Sequence, residues 1–214
     1  MSVTLRITGI TLMKNSRICM SGYDIQNNKY YRPIIKGTDL TDSFLHQDNG
    51  DIFLFSLVTF EKSNENIEIK APHIEDYSIT GNILDIKNDL NNAEDKKSFF
   101  YEISDFSISD VFGDYIDIVD NNSVVHLDYG KRSLGTIVSP YCKVSLDEYG
   151  NARVNFKDQT GYQLSNVKCV AYHDVYRKVG EYNNIPVRIS LSRAWKKPGH
   201  NEYYYYIQVS GVFP

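Results

Sequence analysis

The chain has 214 residues, a formal net charge of −4 and 42% hydrophobic residues. That length fits one large β domain or two ordinary ones, and the acidic balance argues against a protein held on duplex nucleic acid by a global basic field. It leaves room for a local basic groove. The 17 tyrosines and 10 phenylalanines, against 3 methionines and 1 tryptophan, favour pleated, half-buried surfaces. Three widely spaced cysteines (Cys19, Cys142, Cys169) form no C-x-x-C pair, so zinc-ribbon and thioredoxin readings fail and buried free thiols are expected. No apolar run has the length of a signal peptide or the ~20 residues of a membrane span, so the expected location is the cytoplasm.

In chain order, Val3, Leu5 and Ile7 alternate with Thr4, Arg6 and Thr8, a period-two strand. Residues 17–25 resume that pattern after a Lys14-Asn15-Ser16 turn, and Asn27-Asn28 leads into residues 30–35, with Pro33 marking an edge or strand end. Residues 40–46 fit one helical turn. Residues 52–60 (IFLFSLVTF) are apolar on both faces and read as a strand covered on both sides. The stretch from 82 to 97 is highly polar, and residues 91–95 within it read as loop or weak helix. Ser109 is a candidate cap for a helix whose apolar residues are Val111, Phe112, Tyr115, Ile116 and Val119. Beyond it, residues 134–138, 141–146, 152–156 and 162–169 form strands joined by turns at 147–151 and 158–161. Residues 187–192 follow, and the chain closes with Tyr203, Tyr205, Ile207 and Val209 on one face and Tyr204, Tyr206, Gln208 and Ser210 on the other.

The resulting fold class is mainly β: two small OB-like Greek-key barrels, at residues 1–80 and 123–214, joined by a polar, partly helical segment at 81–122. A jelly roll or SH3-like barrel fits the strand pattern nearly as well.

Particular strings carry a resemblance. Arg17-x-Cys19-x-x-Gly22-x-Asp24, then Tyr31-Arg32-Pro33, then Pro72-His73-x-Glu75-Asp76-Tyr77, then Phe156-x-Asp158-x-x-Gly161 occur in order. They are followed by Arg188-x-Ser190-Leu191-Ser192-Arg193-x-Trp195 and the closing residues 206–214. The set resembles the prokaryotic dual-OB domain family, with Tyr77 standing where that family often has Trp. The resemblance implies two tandem OB barrels and a nucleic-acid or nucleotide ligand, and it suggests a bacterial antiviral-defence or mobile-element setting. It supplies no reaction.

Ligand-binding candidates are Arg17, Tyr31, Arg32, His73, Arg188, Ser190, Ser192, Arg193 and Trp195. Tyr31 beside Arg32 offers stacking next to a cation, as single-strand binders use. Arg188, Ser190 and Ser192 share one face of an extended chain, where guanidinium and hydroxyls suit phosphate oxygens. Against each stands a structural role: a core tyrosine, an arginine paired to a carboxylate, a solvated edge strand. The Lys196-Lys197 loop adds charge beside Trp195, and Tyr204 and Tyr206 point outward as further stacking surfaces. His73 with Glu75 and Asp76 suits a metal or acid–base pair, but adjacent strand residues point to opposite faces, which favours a hydrogen-bonding role. No P-loop, G-x-S-x-G, H-E-x-x-H or G-x-G-x-x-G occurs, and Cys169 with His173 is the nearest Cys–His pair.

The leading expectation is therefore a non-catalytic module for single-stranded nucleic acid or a nucleotide, with no catalytic residue, metal or cofactor assigned and no membrane partner. Two other classes stand beside it. One is an enzyme with a site between the barrels using His73 and Glu75 or Asp76, and the other a protein-interaction adaptor.

Overall fold

A computed structural model describes residues 1–127, 129–172 and 177–214. The chain divides into two compact units, Met1–Ile69 with Glu75–Phe99, and Lys70–Ile74 with Phe100–Pro214. No helix among the described residues is long and apolar enough to cross a membrane.

The first unit contains β1 (Ser2–Leu12), β2 (Ile18–Asp24), β3 (Lys29–Ile34), a 3-10 turn at Asp42–Leu45, the short pair β4 (His46–Gln47) and β5 (Gly50–Asp51), β6 (Leu57–Lys62) and β7 (Asp76–Lys87). Five of these close into a barrel in the order β1-β2-β3-β7-β6. The third and fifth barrel strands, β3 and β7, run parallel; this 1-2-3-5-4 circuit is the OB arrangement. β1 pairs with β6 through Ser2 to Arg6 and with β2 from Arg6 onward, and an irregularity between Ile7 and Gly9 lets one strand serve both partners. Gly22 is required where β2 crosses β1, because a Cβ there would lie 2.7 Å from the Leu5 Cβ. Leu5, Ile7, Met20, Val58, Phe60 and Ile79 are all buried, as their period-two spacing predicts.

Two expectations change here. The apolar run 52–60 is a strand only from Leu57, because Phe55 takes a positive φ of 72° and the Ser56 hydroxyl accepts from Phe53 N–H, making a turn. Residues 81–87, read as the start of a connecting segment, are the second half of β7, paired to β6.

The boundary between the units falls inside α1 (Ala93–Glu102). The second unit continues with α2 (Ile108–Phe112), β8 (Ile116–Val119), β9 (Asn122–His126), β10 (Leu134–Ser139), β11 (Cys142–Leu146), β12 (Ala152–Lys157), β13 (Gln163–Cys169), β14 (Gly180–Tyr182), β15 (Ile185–Leu191) and β16 (Tyr204–Val212). The predicted helix starts two residues earlier, with Ser107 as its cap: the hydroxyl accepts from Asp110 N–H while the Asp110 carboxylate accepts from Ser107 N–H. It also ends early. Gly113, at φ 86°, stops it, and the β-branched Ile116, Ile118 and Val119 pair with β9 as a strand instead.

The main sheet runs β10-β15-β16-β13-β12-β11-β14. Within it β11, β12, β13, β16 and β15 reproduce the first unit's strand order, and β13 and β16 are again the parallel pair. β10 and β11 are two halves of what is one strand in the first unit, interrupted at Pro140, which cannot donate to a ladder. β10 pairs with β15 and β11 with β12. At the break the Ser139 hydroxyl donates to Tyr141 O (2.7 Å). The Asp158 carboxylate, 1% exposed, organises the next turn. One oxygen accepts from Thr160 N–H, Thr160 O–H and Tyr162 N–H, and the other from Ile108 N–H at the start of α2. Phe156, Val154, Val167, Val187, Ile189 and Val209 lie at the centre of the core.

Candidate nucleic-acid interface

A groove of about 480 Å³ opens on the outer face of the second unit. Its floor comes from alternation. On β12, Ala152, Val154 and Phe156 are buried, so Arg153 turns outward; on β13, Val167 and Cys169 are buried, so Lys168 turns outward. Arg153 stands opposite Lys168, and Lys168 opposite Gln208 of β16. Three consecutive strands thus present a guanidinium, an ammonium and an amide in one row. Residues directly opposite on neighbouring strands share a face.

One wall is the connection between β15 and β16. Its start is held on β16 by Ser192 N–H to Tyr206 O and by Tyr206 N–H to the Ser192 hydroxyl, each 2.9 Å. Trp195 bridges Tyr204 through both backbone groups (3.0 and 3.1 Å). This clamp leaves the indole half exposed, at 51%, with its ring 5.4 Å from that of Tyr206. Lys197 comes from the same connection, tied to Asp120 at 2.9 Å, and Asn122, Ser123 and Asn166 complete the rim. No carboxylate lines the groove among the described residues.

The nearby acids act from behind. Asp147 holds the Arg153 Nε at 3.0 Å. Desolvation pushes its pKa up, but the Asn151 N–H, the Arg153 guanidinium, the Asn151 amide and the Tyr149 N–H outweigh that and hold it below the usual carboxylate value. Bound edge-on through Nε, Arg153 keeps its two terminal nitrogens without an acceptor among the described residues. Asp120 is likewise held low, first by the hydrogen bond from Lys197, with His200 (2.6 Å) adding to it. Lys168 has no ion-pair partner among the described residues. The hydroxyl of Tyr206 is buried and meets no hydrogen-bond partner among the described residues.

Of the residues singled out in the sequence, Ser192 and Trp195 line this groove. Arg193 is exposed beside them but is not among the lining residues. Arg188 and Ser190 lie on β15, whose seven residues are all buried; Arg188 is 0% exposed and donates to the carbonyls of Gly135 and Ile189. The expected phosphate-facing side of that strand is therefore interior. Arg32 is also interior, 3.0 Å from Asp76 with both side chains 6% exposed. His73 is 5% exposed and sits edge-on to Tyr205 at 5.4 Å. Arg17 is on the surface, paired with Asp39 at 2.9 Å. Tyr31 is half-buried on β3, against Tyr77.

Arg153 and Lys168 escaped notice because they stand singly between apolar residues, outside any basic cluster. The outward parity of two recognised strands was the signal that could have found them.

Glu75 and Asp76 are buried, and no group of three or more His, Cys, Asp or Glu among the described residues could hold a metal ion. Burial pushes the Cys142 thiol up to about 12 and raises Cys169 as well, so neither supplies a thiolate near neutral pH. His173 lies outside the described residues.

The model of a family described as a dual OB-containing domain matches residues 11–212. No curated protein sequence matches the chain. Among solved structures, a murine DNA-binding protein bound with double-stranded DNA aligns over 98% of this chain and 95% of that one, with 10% identity and a TM-score of 0.36.

Proposed function

This chain belongs to the dual OB-containing domain family, and on that premise we propose that it binds single-stranded nucleic acid in the groove on its second unit. The observation that carries the reading is the row Arg153, Lys168 and Gln208 beneath Trp195 and Tyr206, with no carboxylate lining the groove among the described residues of a chain of net charge −4. OB folds use the face of their second and third strands and the loop between the fourth and fifth for oligonucleotides. Here those are β12, β13 and the Ser192 to Tyr203 connection. The cations meet phosphate oxygens, and the indole gives bases of any identity a surface to stack on.

Size supports a single strand over a duplex. A groove of about 480 Å³ is that of a drug-sized ligand site, roughly 300–1,000 Å³, which takes a base with its phosphates. Within this reading the protein works in the cytoplasm, in a bacterial defence or mobile-element system, without catalysis of its own.

The test is anisotropy of labelled single-stranded DNA and RNA at several salt concentrations. Two or three neutralised phosphates give a log–log salt slope of about −1.4 to −2.1 for a single strand. Arg153→Glu with Lys168→Glu removes most of that slope. Binding that ignores salt, or that ignores both substitutions, refutes the groove as the site.

A further inference from the structure

The first unit carries an aromatic and basic surface that the second-unit groove does not include. Along β3, Tyr30 and Arg32 are buried while Lys29 is exposed and Tyr31 half-exposed. On β7, the parallel neighbour of β3, Asp76 and Ser78 are buried and Tyr77 is half-exposed. The rings of Tyr31 and Tyr77 meet edge to face, with centroids 5.0 Å apart. Lys29 Nζ lies 5.4 Å from the Tyr31 centroid, and Lys62 Nζ lies 5.7 Å from that of Tyr77. Two aromatic rings thus stand in a row between two ammonium groups, and neither lysine has an ion-pair partner among the described residues.

The nearest acids are engaged elsewhere. Asp24 is buried and takes hydrogen bonds from Gln26 N–H, Asn27 N–H and the Asn27 amide. Glu61 takes them from Thr80 (2.7 Å) and Asn82 (2.8 Å). Desolvation raises the pKa of both tyrosines, and the charge on Asp24 adds to it, so the phenols stay neutral and bring no negative charge to the surface.

We propose that Lys29, Tyr31, Tyr77 and Lys62 form a second, separate site for single-stranded nucleic acid, in which a base stacks on a tyrosine ring and the flanking phosphates meet the lysines. Charge decides against an uncharged ligand such as a sugar, because the lysines flank the rings and offer cations where a neutral ligand needs amides and carboxylates. The stack is sequence-tolerant, since every base has a π face. Each lysine here is a point charge on a flexible stem that leaves its ring to follow a phosphate.

The test is photo-crosslinking of the full chain to single-stranded oligonucleotides carrying 5-iodouracil, with crosslinked peptides mapped by mass spectrometry. Crosslinks to Tyr31 or Tyr77 are expected in the native sequence and also in Lys168→Glu. Lys29→Glu with Lys62→Glu, both at exposed positions, should reduce them about fivefold or more, with the fold of the variant checked by circular dichroism. No crosslink at Tyr31 or Tyr77, or crosslinks undiminished by the double reversal, overturns the site. An acidic peptide that binds the native chain and loses binding in the double reversal, where the oligonucleotide does neither, overturns it in favour of a protein ligand. The two sites fail independently, because the second-unit groove reports through peptides containing Trp195 and Tyr206.

Discussion

Arg32 and Lys168 occupy the third barrel strand of their respective units, and each stands directly opposite a residue of the fifth. Arg32 faces Asp76, with both side chains 6% exposed, and serves as half of a buried ion pair. Lys168 faces Gln208 on the outside and is exposed to solvent. The strand, the sheet position and the side of the pleat are alike. Arg32 shares the face of Tyr30, Tyr23 and Arg6, away from Leu5 and Ile7, as Lys168 lies away from Val154 and Val167. What differs is whether that face is covered. A cation on the outer face of an OB strand takes its role from what covers that face, since a buried charge has to be paired whereas an open one is left for a ligand. Basic residues inside a recognisable string are therefore no better ligand candidates than isolated ones, and here the isolated ones reach the groove.

The contrast can be broken most forcefully at the buried pair. Asp76→Ala should destabilise the first unit by about 3–5 kcal/mol by removing the buried carboxylate paired with the Arg32 guanidinium, measured by urea unfolding. Replacing Arg32 and Asp76 together with Met and Leu should cost much less than that single change. Equal costs for the single and double substitutions would show that the pair's packing, and not its charge, holds the strands.

Steric crowding gives the next effect. A Cβ on Gly135 would lie 2.5 Å from both Val111 methyls, so Gly135→Ala should cost about 1–3 kcal/mol. A thermal melt unchanged from the native chain would show that α2 moves aside freely.

The exposed side of the contrast predicts the reverse pattern. Lys168→Glu should leave stability within about 0.5 kcal/mol. It should also lower the salt slope of single-strand binding by about 0.7. A loss of stability comparable with that of Asp76→Ala would erase the distinction between the two strands.

The smallest effect is chemical. With the Cys142 thiol pushed up to about 12, alkylation at pH 8 should spare Cys142 in the folded chain and modify it once denaturant is added. Because the folded pKa lies above the unfolded value of 9.0, the thiol's contribution is complete below about pH 9 and is lost as pH rises towards 12. Rapid labelling of Cys142 in the native protein would show that the β11 face opens.

Much of the architecture was legible because strands write their burial at a period of two. Val3, Leu5 and Ile7, the meander through Val154 and Val167, and the split of Ile207 and Val209 from Gln208 are all visible without coordinates, whereas Tyr204, expected to point outward, is 8% exposed and Tyr203 is 49% exposed. Where the reading erred, a local backbone preference was overruled or missed. Gly113 ended a helix whose apolar pattern continued into β8, and Phe55 took a left-handed conformation that nothing in its apolar neighbours signals. The candidate site was half legible. Ser192 and Trp195 stood out by type, but the burial of Arg32, His73 and Arg188 depends on partners such as Asp76, Tyr205 and the Gly135 carbonyl. Those partners meet them only once the sheet is assembled. Arg153 and Lys168 became neighbours by a strand register that no local string encodes.

The central claim, that the groove binds single strands, has its own reporter, because Trp195 is the only tryptophan in the chain. Titration with a single-stranded oligonucleotide at low salt should change its emission saturably, with the midpoint shifting to higher concentration as salt rises, while a blunt duplex of the same sequence changes it little. Emission that stays constant while the oligonucleotide demonstrably binds, or that responds equally to the duplex, would contradict the assignment of the groove.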